Sequence, residues 1–117
     1  MHSAEIARIV QRVRETADGQ RLCATFQVAL HVDRWLQYGD GRVNAAYPCR
    51  QHPGALVEDL GGTLESWEAM KFVTVAFGLQ DDLAIAHWIE SYLHQVLASR
   101  GDPLDLKLAP FRNCAGV

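Results

Sequence analysis

The chain has 117 residues, 49% of them hydrophobic and 21% charged, with a formal net charge of −3. That length predicts one domain over residues 1–117, large enough to bury a core without structural metal or disulfides. The composition argues against disorder, and the modest negative charge argues against a dedicated nucleic-acid binder, which needs clustered Lys and Arg to neutralise phosphates.

The charge is uneven. Residues 1–50 carry 7 basic against 5 acidic side chains, whereas residues 51–117 carry 4 against 9, so the C-terminal half is the acidic one. Met1-His2-Ser3 runs straight into a charged amphipathic segment without the apolar stretch of a secretory signal, and no apolar run is long enough for a bilayer. Three cysteines, Cys23, Cys49 and Cys114, are an odd number without a closed disulfide framework, and they point to a cytoplasmic, reducing setting.

In chain order, residues 3–17 place Ile6, Ile9, Val10, Val13 and Ala17 at helical spacing, with Ser3 as N-cap and Gly19 as terminator. Residues 22–32 alternate as a half-buried strand, with Leu22, Ala24, Phe26, Val28, Leu30 and Val32 on one face. Gly39-Asp40-Gly41 supplies a hairpin turn, and Val43, Ala45 and Tyr47 alternate on the return. Pro48, Pro53, Gly54, Gly61 and Gly62 mark a long irregular connection with a short turn around residues 56–60. Residues 64–70 can begin a helix capped by Thr63, while residues 72–77 have the β-branched and aromatic content of a strand. Asp81 or Asp82 caps a helix to about Ser99, closed by Gly101 and Pro103, before a final short strand at Leu104, Leu106 and Leu108.

This order predicts an α+β fold, an antiparallel sheet of about three to four strands covered by two main helices. The alternative is an all-α helical bundle in which residues 22–37 and 64–78 are both helical. In outline a small acidic α+β chain resembles partner-binding chaperones and adaptors, a fold-level analogy that no motif carries.

Several residues are candidates for chemistry. His87, Glu90 and His94 share one stripe of the second helix, as two imidazoles and a carboxylate would in a metal site. That stripe lies opposite the apolar one, and the two histidines stand about 10 Å apart along the axis, so a solvated face is the simpler account. Cys49 and His52 have the spacing of two zinc ligands, or of a nucleophile and its base, but two further ligands or an orienting third group are lacking in sequence. His31 and Asp33 share a strand face as a base and carboxylate would, and the fold decides whether they converge with Cys49 and His52. No glycine-rich phosphate loop is present, and no cofactor is expected. Arg8, Arg12, Arg14 and Arg21 are the only clustered cations, diluted by Glu5, Glu15 and Asp18. The ending Cys114-Ala115-Gly116-Val117 departs from a prenylation box at Gly116 and reads as a plain terminus.

Trp67 stands apart, because Glu65-Ser66-Trp67-Glu68 sets a large aromatic among charges just after the irregular connection. The leading expectation is therefore a small nonenzymatic protein-interaction or regulatory module, partnered or homodimeric, using Trp67, Glu65 and Glu68. A small metal-dependent or cysteine hydrolase built on Cys49 and His52, or on the His87 stripe, is the competing expectation. Weak nucleic-acid binding through the Arg-bearing first helix is the third.

Overall fold

The computed structural model describes residues 3–15, 22–77, 81–98 and 103–110. The elements run α1 (Ser3–Glu15), β1 (Leu22–Val28), β2 (Trp35–Gly39), β3 (Arg42–Ala46), α2 (Gly54–Leu60), β4 (Thr63–Glu68), β5 (Phe72–Ala76), α3 (Asp82–Gln95) and β6 (Leu104–Pro110). The six strands form one sheet in the order β4-β5-β3-β2-β1-β6, every pair antiparallel. The mixed α+β class is as expected. The strand number is not, since the described residues hold six strands and three helices, and the all-helical alternative fails at both of its disputed segments.

One face of the sheet builds the core. The register places Ala24, Tyr38, Val43 and Val75 in one row and Phe26, Leu36, Ala45 and Val73 in another, and all eight are buried. Ile6, Val10 and Val13 of α1 and Ile85, Ile89, Tyr92 and Leu93 of α3 belong to the same cluster, with the two helices packed side by side. Both helices were legible as amphipathic stripes because their apolar residues recur every three or four positions. Asp81 caps α3 as expected, its Oδ1 accepting from the Ala84 N–H at 2.7 Å. Ser3, expected as the cap of α1, is itself helical, while Gly19 lies outside the described residues. The α3 helix stops at Gln95 rather than near Ser99, and Ala98 already has φ +56°.

Two turns show how the strands are set. At the β2–β3 hairpin Asp40 and Gly41 have φ +51° and +73°, the pair of positive values that a two-residue turn of matching twist requires. The first strand ends at Val28, not at residue 32, so Leu30 and Val32 leave the apolar face and His31 and Asp33 lie in an exposed turn instead of on a strand. Residues 64–70 do not start a helix; Thr63–Glu68 is a strand at one end of the six-stranded order, with β6 at the other.

The opposite face of the sheet is crossed by a polar row in register, Lys107, Thr25, Gln37, Asn44, Thr74 and Ser66, one from each strand. Asn44 and Thr74 are buried, and Thr74 Oγ1 donates to Asn44 Oδ1 at 3.0 Å. Gln37 Oε1 in the same row is buried without a hydrogen-bond partner. Thr74→Val should therefore cost about 1–3 kcal/mol by stranding the Asn44 carbonyl, and Asn44→Leu combined with Thr74→Val should recover much of that loss. Urea unfolding of the two single variants and the double variant reads out the coupling; strict additivity would mean that the bond contributes nothing.

Cysteine chemistry departs from the expectation at one position. Cys23 is wholly buried and disulfide-bonded, whereas Cys49 is a free thiol. Among the described residues no helix is long and apolar enough to cross a membrane.

Candidate interaction surface

The loop after β3 returns over the end of the sheet and meets Trp67 of the edge strand. Pro48 and Pro53 keep this segment from extending the sheet, since proline has no N–H to donate to a ladder. Its backbone is instead tied locally. The Tyr47 hydroxyl donates to the Gln51 carbonyl at 2.6 Å, the Tyr47 N–H to the Lys71 carbonyl at 3.2 Å, and the Met70 N–H to the Cys49 carbonyl at 2.9 Å. His52 Nδ1 accepts from the Gly54 N–H at 2.9 Å, which fixes the imidazole at the start of α2.

These ties set three rings together. Trp67 meets Tyr47 edge to face at 6.3 Å between centroids and 89°, and meets His52 at 5.0 Å and 71°. Aromatic pairs prefer such T-shaped arrangements because a positive ring edge faces a negative ring face. Trp67 stays half-buried, packed against the core on one side and open on the other. Deeper in, Trp88 stacks on Tyr92 at 5.3 Å and 8°, and its indole N–H donates to the Gly61 carbonyl at 2.9 Å.

The charges around Trp67 are less negative than the sequence suggests. Glu65 accepts from Arg42 Nε at 2.6 Å, and Glu68 pairs with Lys71 at 2.6 Å. Both cations have their pKa raised, first by the hydrogen bond each donates to its carboxylate and then by that carboxylate's charge. Each pair is exposed and screened by water, so it adds little to stability, but together they leave the rim of Trp67 close to neutral.

The remaining candidates are dispersed. Cys49 lies near Tyr47 and Tyr92, whose hydroxyls are both pushed up mainly by burial with a smaller contribution from Cys49. His52, three residues on, turns its ring to Trp67 and one nitrogen to Gly54. His31 and Asp33 sit in the β1–β2 turn, and among the described residues no hydrogen bond, ion pair or ring contact joins them to Cys49 or His52. His87 and His94 are exposed on α3 and Glu90 is half-exposed, the solvated stripe that the helical wheel gives. Among the described residues no group of three or more His, Cys, Asp and Glu side chains is placed to hold a metal ion. On α1, Arg8, Gln11, Arg12 and Glu15 line a shallow, open depression of about 300 Å³, while Arg14 is engaged by Asp82 at 2.6 Å.

Sequence reasoning found Trp67, Cys49 and His52 separately but missed Tyr47, whose only signal was an aromatic residue closing the alternation of β3. The fold is a two-layer α+β domain whose sheet has one edge carrying a ring cluster. No family model matches the chain, and neither curated proteins nor solved structures give a match.

Proposed function

We propose that this domain is a nonenzymatic protein-interaction module that takes a protein chain, either another protein or a second copy of itself, along the β4 edge around Trp67. The observation that carries the reading is the half-open Trp67 ring, held by Tyr47 and His52 on a strand that, among the described residues, pairs only with β5. An edge strand offers unpaired backbone donors and acceptors to an added strand, and a rigid aromatic beside them supplies the anchor. The pairing of Glu65 with Arg42 and Glu68 with Lys71 favours it further, because covering a neutralised rim strands fewer charges than covering free carboxylates.

Native mass spectrometry of the purified protein reports subunit count and any retained partner in one spectrum. Trp67→Ala is expected to weaken the association so detected by about 30-fold or more, as loss of a central aromatic does in an interface. Circular dichroism should show the same fold. Association of unchanged strength in a folded Trp67→Ala protein would remove the reading.

A further inference from the structure

The two outer strands of the sheet are built differently. β4 is interrupted by a register shift between Leu64 and Ser66, a device that blunts an edge. β6 pairs with β1 without a shift from Leu104 to Pro110, and its outer side meets no strand among the described residues. A regular edge of this kind is a template for another strand.

The direction of its backbone groups follows from its neighbour. The Val28 N–H donates to the Arg34 carbonyl, on the β2 side, and the Ala29 N–H to the Pro103 carbonyl, on the β6 side. These directions alternate along a strand, so the odd positions of β1 bond to β6. Their partners there include Asp105 and Lys107, which leaves Leu104, Leu106 and Leu108 directing N–H and C=O outward. The side chains divide in the same way. Leu106 continues the row of Phe26, Leu36, Ala45 and Val73 on the helix-bearing face, yet it is 44% exposed. Leu104 and Leu108 are half-buried against the core. Asp105 and Lys107 belong to the other face, both exposed, and neither has an ion-pair partner among the described residues.

We propose that β6 pairs antiparallel with β6 of a second copy across a two-fold axis at Leu106, joining the two sheets edge to edge. The segment Leu104-Asp105-Leu106-Lys107-Leu108 is complementary to its own inverse. Turned about Leu106, it sets Leu106 opposite Leu106, Leu104 opposite Leu108, and Asp105 opposite Lys107 on both sides of the axis. Every leucine position then becomes a hydrogen-bonded pair made with outward groups, and the charged positions become the closer, non-hydrogen-bonded pairs. Opposite charges stabilise such a pair and like charges destabilise it. An axis at residue 105 or 107 would instead set Asp105 against Asp105 or Lys107 against Lys107, so the charges select both the register and the occupant. The axis is normal to the sheet, which keeps the helices of both copies on one face, where the facing leucines cover the exposed Leu106. A single edge contact lies at the small end of protein interfaces, so the dimer is reversible. This assigns the second copy to β6 and leaves the β4 edge to a different protein.

Sedimentation equilibrium of the full chain, from low to high micromolar concentration, is expected to show that dimer. Asp105→Lys and Lys107→Asp each put like charges opposite one another on both sides of the axis, and each should weaken association about tenfold at low salt. Mixing the two variants restores opposite charges at both pairs, so native mass spectrometry should show their heterodimer in preference to either homodimer. The chain carrying both exchanges should dimerise as the wild type does. Trp67→Ala should leave the dimer intact, and loss of a partner protein in that variant belongs to the β4 contact, so the two readings fail separately. A monomer at every concentration, a dimer indifferent to both single exchanges, a mixture without heterodimer preference, or a dimer lost in Trp67→Ala would each overturn the proposal.

Discussion

Tyr92→Ala is expected to lower stability by about 3–5 kcal/mol, the range for truncating a large buried aromatic. For a domain of this size that is a fall in Tm of roughly 10–20 °C. The ring is wholly buried, stacks on Trp88 and lies in the layer between α3 and the sheet, so its removal leaves a void that two packed elements cannot close. Tyr92→Phe separates the ring from its hydroxyl, which donates to the Ala46 carbonyl at 2.7 Å. It should cost about 1–3 kcal/mol, because a buried carbonyl loses its partner.

The same hydroxyl makes stability depend on alkaline pH. Burial, then Cys49, then Tyr47 raise the Tyr92 pKa in the folded state, so the folded protein holds this proton after an unfolded chain has released it. A raised pKa gives a contribution fully present below the ordinary tyrosine value of about 10 and progressively lost above it. Tyr38 acts in the same direction through burial, partly offset by Arg14. Stability should therefore fall from about pH 10 upward, by up to roughly 1.4 kcal/mol per pH unit for each such tyrosine. Tyr92→Phe should flatten that slope by one group. Urea midpoints between pH 8 and 11 decide the matter, and an equal slope in the wild-type and Tyr92→Phe proteins would show that the hydroxyl is not held in this way.

How far the sequence could be read depends on which forces act locally. The α1 stripe, the Asp81 cap, the Asp40-Gly41 hairpin and the final strand were legible because each is specified by residues within a few positions of one another. β4 was not legible, for an identifiable reason. Between Leu64, paired with Val75, and Ser66, paired with Thr74, the register shifts at Glu65. This bulge puts Leu64 and Trp67 on the same face at a spacing of three, which imitates a helix rather than a strand. The opposite error occurred at β1, where Leu30 and Val32 continue the alternation of the strand after the strand has ended. No Gly, Asn or Pro marks that turn, since a leucine occupies the left-handed position. The ring cluster was out of reach for a third reason, because Tyr47, His52 and Trp67 meet only through the pairing of β3 with β5 and β5 with β4, contacts that periodicity does not encode.

The connection that delivers β4 to its place gives the second large effect. Gly61 has φ +103° and ψ +168°, a region open almost only to glycine, and Gly62 follows with φ +95°. The surroundings of the two differ. A Cβ at Gly61 would meet nothing within 4 Å, whereas one at Gly62 would lie 2.6 Å from Val75 Cγ1 and 3.1 Å from the Ala76 carbonyl oxygen. Gly61→Ala should therefore cost only backbone strain, about 1–3 kcal/mol. Gly62→Ala should cost that strain together with about 1–3 kcal/mol of overpacking against a valine that is stiff at χ1 and wholly buried. The gap between the two variants in thermal unfolding measures the steric part, and equal losses would mean that Val75 yields freely. Because Gly62 immediately precedes Thr63, movement there displaces the strand that carries Trp67. Gly62→Ala should thus shift the tryptophan emission more than Gly61→Ala does, even at temperatures where both variants remain folded.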